Sequence, residues 1–200
     1  MRHGSRAGVV SRYPCHVTFK VVEGLPSLRT ARVVREVERS WAKGCDRGDF
    51  RLAHYSIQSN HVHLIVEAKD ADALGRGMKA LGIRFAKAVN RVLGRTGRVF
   101  RDRYHHQVLK TPTQVRNALK YVLLNARRHA KRLTGAARLD PCSSARWFDG
   151  WKRGSGRLAH EARERPGGRV FAIALPHTWL LQEGWRKAGP ALDPAAVPGR

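Results

Sequence analysis

FRLAHYSIQSNHVHLIVE, residues 50–67, contains two apolar, β-branched and aromatic runs separated by one short polar turn. Phe50 to Ser59 reads as one strand and His61 to Glu67 as the next, with Asn60 turning the chain between them. So tight a junction predicts an antiparallel hairpin. In a regular strand Phe50, Leu52 and His54 share one face, and Ala53, Tyr55 and Ile57 the other. By the same alternation His61 and His63 project together, a grip suited to a divalent metal. Ten histidines in 200 residues make an accidental His-x-His common. Alone, the pair reads more readily as two solvated strand histidines.

Outward from this hairpin the elements alternate. Tyr13 to Val22 is a further strand, ended by Gly24 and Pro26. Ser27 is placed to cap a helix from Leu28 to Lys43, with Leu28, Val33, Val37 and Trp41 along one side and Gly44 as its stop. Asp70 or Asp72 starts a long helix to Leu93. Its Leu74, Met78, Leu81, Phe85, Val89 and Val92 recur at steps of three and four, the mark of one buried face. Gly94 and Gly97 follow, and Arg103 to Leu109 is a short fourth strand. Thr111 caps, and Pro112 opens, a third helix to Arg132. The order predicts an α+β fold, a ferredoxin-like βαββαβ antiparallel sheet with a third helix appended. Residues 1–12 read as a basic N-terminal tail and 13–133 as the domain. Past Leu133 the composition shifts to Gly, Pro, Arg and Trp, so residues 134–200 read as a separate basic extension. Within it Trp147 and Trp151 flank Phe148 beside Lys152 and Arg153, a group that either packs the extension down or stacks unpaired bases.

Charge narrows the partners. Thirty-nine Lys and Arg against fifteen Asp and Glu leave +24, and self-repulsion of that size is relieved by a polyanion. Nucleic acid comes first, since each phosphate contact releases a condensed counterion, and an anionic membrane surface second. Mutational drift in a G- and C-rich genome is the alternative source for part of the arginine excess. No stretch approaches the ~20 apolar residues that span a bilayer, and MRHGSRAGVV lacks an apolar signal core. Cys15, Cys45 and Cys142 are odd in number without C-x-x-C spacing, which fits a reducing cytoplasm rather than a disulfide framework.

The third helix carries KYVLLNARRHA, residues 120–130, in which Tyr121, Asn125 and Arg128 form one stripe. Val115, Leu119, Val122 and Ala126 form the core stripe, so Tyr121 lies on the flank. Three blocks now stand in order: YSIQSNHVHLIVE (55–67), GRVFRDRYHHQVL (97–109) and YVLLNARRHA (121–130). Together they resemble the REP-associated tyrosine transposases, a branch of the single-tyrosine HUH transposases, over Tyr13 to Lys131. The helix block of that family often reads Tyr-x-x-x-Asn-Pro-x-Arg-Ala. Ala126 here replaces the proline, which bears on helix termination more than on chemistry.

The resemblance implies a transposase that nicks and rejoins single-stranded or hairpin DNA. Tyr121 would be the nucleophile, leaving a 5'-phosphotyrosine link, with Mg2+ or Mn2+ on His61, His63 and Asn125 as a Lewis acid. Asn60 either orients the histidines or only turns the chain. His105 and His106 compete with Asn125 as ligands, or are solvated strand-end residues. Arg76, Lys79, Lys87, Arg91, Arg95, Arg98 and Arg101 would form a phosphate track beside the site, joined by Arg127, Arg128 and Lys131. The family leaves open a monomer or a homodimer exchanging helices, and places the protein in the cytoplasm at the nucleoid. A domesticated, non-catalytic nucleic-acid-binding protein is the alternative. An RNA-recognition sheet would need paired aromatics on central strands, which Tyr13, Phe19 and Tyr55 do not supply.

Overall fold

The hairpin forms one side of the sheet, with its first strand at the edge. In the computed structural model, which describes residues 8–129, 139–152 and 171–196, β1 (Cys15–Lys20), β2 (Phe50–Ile57), β3 (His61–Ala68) and β4 (His105–Val108) pair antiparallel in the order β2-β3-β1-β4. Helices α1 (Ala31–Ala42) and α2 (Ala71–Leu93) cover one face, and α3 (Pro112–His129) lies on the other. The predicted ferredoxin-like α+β arrangement is therefore present, with α3 added to it.

Local chemistry sets the ends. Thr30, not Ser27, caps α1, its hydroxyl accepting the Val33 N–H at 3.2 Å. Leu28 precedes the helix because its N–H is committed to the Ser59 carbonyl at 3.0 Å. Asp70 caps α2 through the Ala73 N–H, and Gly94 ends it in the left-handed conformation at φ 61°. Thr111 and Gln114 form a reciprocal capping box on α3: Thr111 Oγ1 accepts the Gln114 N–H, and Gln114 Oε1 accepts the Thr111 N–H. One helix seats unusually low. A Cβ at Gly77 of α2 would lie 2.2 Å from the Phe50 ring, so only glycine fits there.

The regular alternation expected of β2 is broken. Leu52 pairs with Val66 and His54 with Ile65, leaving Ala53 as a bulge. The bulge resets the strand, so Phe50, Leu52, Tyr55 and Ile57 all enter the α1–α2 core while Ala53 joins the α3 cluster. The Leu52 carbonyl, displaced from the ladder, accepts the Ala174 N–H at 2.8 Å.

That contact belongs to a second correction. The described parts of residues 134–200 are built into the domain rather than standing apart. Ala145, Phe148, Trp151, Leu180, Leu181, Trp185 and Leu192 share one core with Val115, Leu119 and Val122 of α3. Short turns at Ser144–Trp147 and Gly184–Ala188 and a one-turn helix, α4 (Trp179–Gln182), carry them. Arg29 clamps the segment by a bidentate pair to buried Asp140, at 2.8 and 3.1 Å. Glu67 of β3 accepts the His177 and Thr178 N–H groups ahead of α4. Phe148 and Trp151 are buried, with Trp151 Nε1–H donating to the Ala145 carbonyl at 2.9 Å. Trp147 packs on Tyr55, so the aromatic group serves packing; Arg153 lies outside the described residues. At the other end, Val9 is buried and Val10 bridges to Asp70, which ties down the close of the predicted N-terminal tail. The three cysteines are buried thiols.

Candidate active site

Two neighbouring strands supply the polar side chains. Across the β1–β3 pair, Lys20 faces His61, Thr18 faces His63 and His16 faces Ile65. Opposed residues in an antiparallel pair share a face, here the α3 face. α3 crosses β2 and β3. Lys20, His105 and Gln107 on the β1–β4 half of that face are exposed. α3 therefore leaves the outer half of this face uncovered.

Tyr121 stands on that flank. Its ring meets His63 edge-on with centroids 4.8 Å apart, and His16 at 5.8 Å. His61 and His63 are 4.7 Å apart. The two histidines and the tyrosine singled out in the sequence therefore converge within one chain. Asn125, one turn beyond Tyr121, is wholly buried, and neither of its amide atoms has a hydrogen-bond partner among the described residues. Leaving a buried amide unpaired costs about 1–3 kcal/mol, which a ligand in reach of it would offset.

The rings are held from behind. Asn60 Oδ1 lies 2.8 Å from His61 Nδ1. A carbonyl oxygen only accepts, so Nδ1 carries the proton and the lone pair sits on Nε2. His63 Nδ1 is 3.1 Å from Thr18 Oγ1 and 3.2 Å from His16 Nε2. Burial pushes the His16 pKa down to about 4, so the ring is neutral at pH 7. The sequence reading missed His16 and Thr18. Their signal was the polar alternation His16, Thr18, Lys20 within an otherwise apolar strand, which has no meaning until the register with β3 is known.

Metal capacity follows from this donor set. Among the described residues no three His, Cys, Asp or Glu side chains group together. An ion on His61 and His63 would take its further ligands from an amide, a hydroxyl, a backbone carbonyl, water or the substrate. The orphaned Asn125 amide fits that set. Of the competing histidines, His106 pairs with Val17 and so faces the α1–α2 side, while His105 pairs with Thr18 on the site face and is exposed.

The proposed phosphate track divides. Arg76, Lys79, Lys87 and Arg91 belong to α2, whose apolar stripe docks on the far side of the sheet, so they do not stand beside Tyr121. Arg76 is paired with Asp49 at 2.6 Å and Arg91 with Glu36. Lys87 and Arg91 instead line a cavity of about 460 Å³ between α1 and α2, with Arg39, Lys43 and Arg84. Arg95, Arg98 and Arg101 lie on the loop that wraps the Lys20 end of β1, where the Arg101 N–H donates to the Lys20 carbonyl at 2.9 Å. That places Arg101 at the His61 end of the sheet. The side chains of Arg127 and Arg128, and all of Lys131, lie outside the described residues.

No family model and no curated protein matches this chain. A solved structure does: a REP-associated tyrosine transposase bound to a REP hairpin aligns with a TM-score of 0.53 at 14% identity, covering 72% of this chain and 82% of that one. At that identity the likeness is one of fold. This chain has a tyrosine-transposase-like α+β fold, and among its described residues no helix is long and apolar enough to cross a membrane.

Proposed function

We propose that this protein is a metal-dependent, single-stranded DNA endonuclease and strand transferase that works through a tyrosyl intermediate, as a transposase. The observation that carries the reading is Tyr121 set edge-on against His63, on the sheet face that also carries His61. The structural neighbour is bound to a REP hairpin, which supports DNA as substrate, and the +24 charge supports a polyanion.

The Tyr121 phenolic oxygen forms a bond to the scissile phosphorus, and the bond from phosphorus to the 3' oxygen breaks. The phenol gives up one proton and the departing 3' oxygen gains one, leaving a 5'-phosphotyrosine and a free 3'-hydroxyl. The phosphoester energy is retained in the tyrosyl link, so a second 3'-hydroxyl can displace the tyrosine and reseal the strand without a nucleotide cofactor. His61, His63 and the Asn125 carbonyl would hold Mg2+ or Mn2+. When bound, such an ion supplies Lewis-acid charge at the phosphate. Asn60 fixes His61 by its Nδ1 edge, and the Arg98–Arg101 loop brings positive charge to the same end of the sheet.

The test is a single strand labelled at its 3' end, the side that stays on the tyrosine, incubated with the protein and Mn2+, then boiled in detergent. Label that stays with the protein, and that fails to attach in EDTA, is the expected result. Cleavage with all label released would replace Tyr121 by an activated water.

A further inference from the structure

We propose that His16 and Thr18 of β1 are positioning residues for His63, holding the ring by its Nδ1 edge so that Nε2 is the nitrogen offered to a metal. The inference rests on the metal-and-tyrosine reading above and adds two residues to it. Three observations carry it. Thr18 is the direct cross-strand partner of His63, so its hydroxyl approaches from a fixed backbone position. Thr18 Oγ1 and His16 Nε2 lie at 3.1 and 3.2 Å from the same atom, His63 Nδ1. The His16 ring also packs against both His63, at 5.2 Å, and Tyr121, at 5.8 Å, so it fixes the spacing of proposed ligand and proposed nucleophile.

The physical need is orientation. Rotation of an imidazole about its last side-chain bond is broad and roughly two-fold, and a half-turn moves both nitrogens to the other side of the ring. A hydrogen-bond partner on Nδ1 selects one orientation and one tautomer, and partners of this kind raise the basicity of the ligating nitrogen. His61 has such a partner in Asn60, on its own strand turn. His63 lies within the strand and is 5% exposed, and the neighbouring strand supplies partners for its Nδ1. A hydroxyl and a second imidazole, converging on one nitrogen, do for His63 what one amide does for His61.

The experiment titrates the full-length protein with Mn2+ and follows the ion by electron paramagnetic resonance, with thermal melting as the check on folding. Thr18→Val keeps the shape and removes the hydroxyl; His16→Leu removes the ring nitrogen. Each should weaken Mn2+ binding roughly 10- to 100-fold, and Thr18→Ser should restore it. Folded Thr18→Val and His16→Leu proteins that bind Mn2+ as tightly as wild type overturn the proposal. His61→Ala and His63→Ala run alongside: if they too leave binding unchanged, the metal reading itself has failed, a result distinct from failure at β1 alone. Should either β1 variant not fold, nitrogen NMR of wild-type His63 decides. The proton on Nδ1 supports the assignment, and the proton on Nε2 overturns it.

Discussion

The two faces of the sheet obey different rules. Toward α1 and α2, every β1–β3 position is apolar: Cys15, Val17, Phe19, Phe50, Leu52, Tyr55, Ile57, Val62, Leu64 and Val66. Burying each large side chain of that set contributes about 1.5–3 kcal/mol. Toward α3 the same strands present His16, Thr18, His54, Ser56, His61, His63 and Glu67, several of them buried. Such groups add little hydrophobic stabilisation and must be hydrogen-bonded to be tolerated. One face holds the fold together. The other gives up apolar burial for placed polar atoms, and α3 with the C-terminal segment supplies the missing core beside them.

The comparison breaks most visibly if chemistry and stability fail to separate. His63→Ala should lower DNA cleavage more than about 100-fold, since several kcal/mol of metal-borne stabilisation are lost. Its urea midpoint should move little. Cleavage at the wild-type rate would place the site elsewhere. On the opposite face, Leu64→Ala should cost about 2–5 kcal/mol in urea unfolding, and a loss below about 1 kcal/mol would show that this face is not the principal core.

Acid sharpens the contrast. Burial pushes His54 and His16 down to about 4 from an ordinary value of 6.5. Between those values the unfolded chain holds the protons and the folded chain does not. Stability is therefore full above pH 6.5 and falls as the pH drops toward 4, by an order of magnitude of 3 kcal/mol for His54. In His54→Gln the acid limb of the unfolding free energy should flatten; an unchanged limb would refute the assignment. The smallest effect concerns α2. Lys87→Gln, behind the sheet, should leave cleavage of a short unstructured strand within about two-fold of wild type, under 0.5 kcal/mol. A larger loss would mean that DNA wraps onto the α1–α2 layer.

Much of this was legible because it was local. The hairpin at Asn60, the caps at Asp70 and Thr111, and the stripe on α2 each depend on a few neighbouring residues. What failed depended on partners far along the chain. Ala53 is a bulge beside Leu52, whose carbonyl bonds to Ala174, a residue more than a hundred positions later. Residues 139–152 and 171–196 looked like a tail because their apolar side chains follow no regular period, and they find their partners in α3 and in the α1–α2 core. His16 became visible only through the β1–β3 register. The α2 cations were assigned to the wrong side because a helix's charge pattern says nothing about which face of the sheet it covers.

The central claim is that Tyr121 is the nucleophile. The most direct measurement is mass spectrometry of peptides from protein trapped with a single-stranded oligonucleotide and Mn2+, beside the Tyr121→Phe variant. The account predicts a 5'-phosphate on Tyr121 in the wild type, and in the variant normal DNA affinity with no adduct and no nick. An adduct on Tyr13, Tyr55 or Tyr104, or a Tyr121→Phe protein that still cuts DNA, would contradict it.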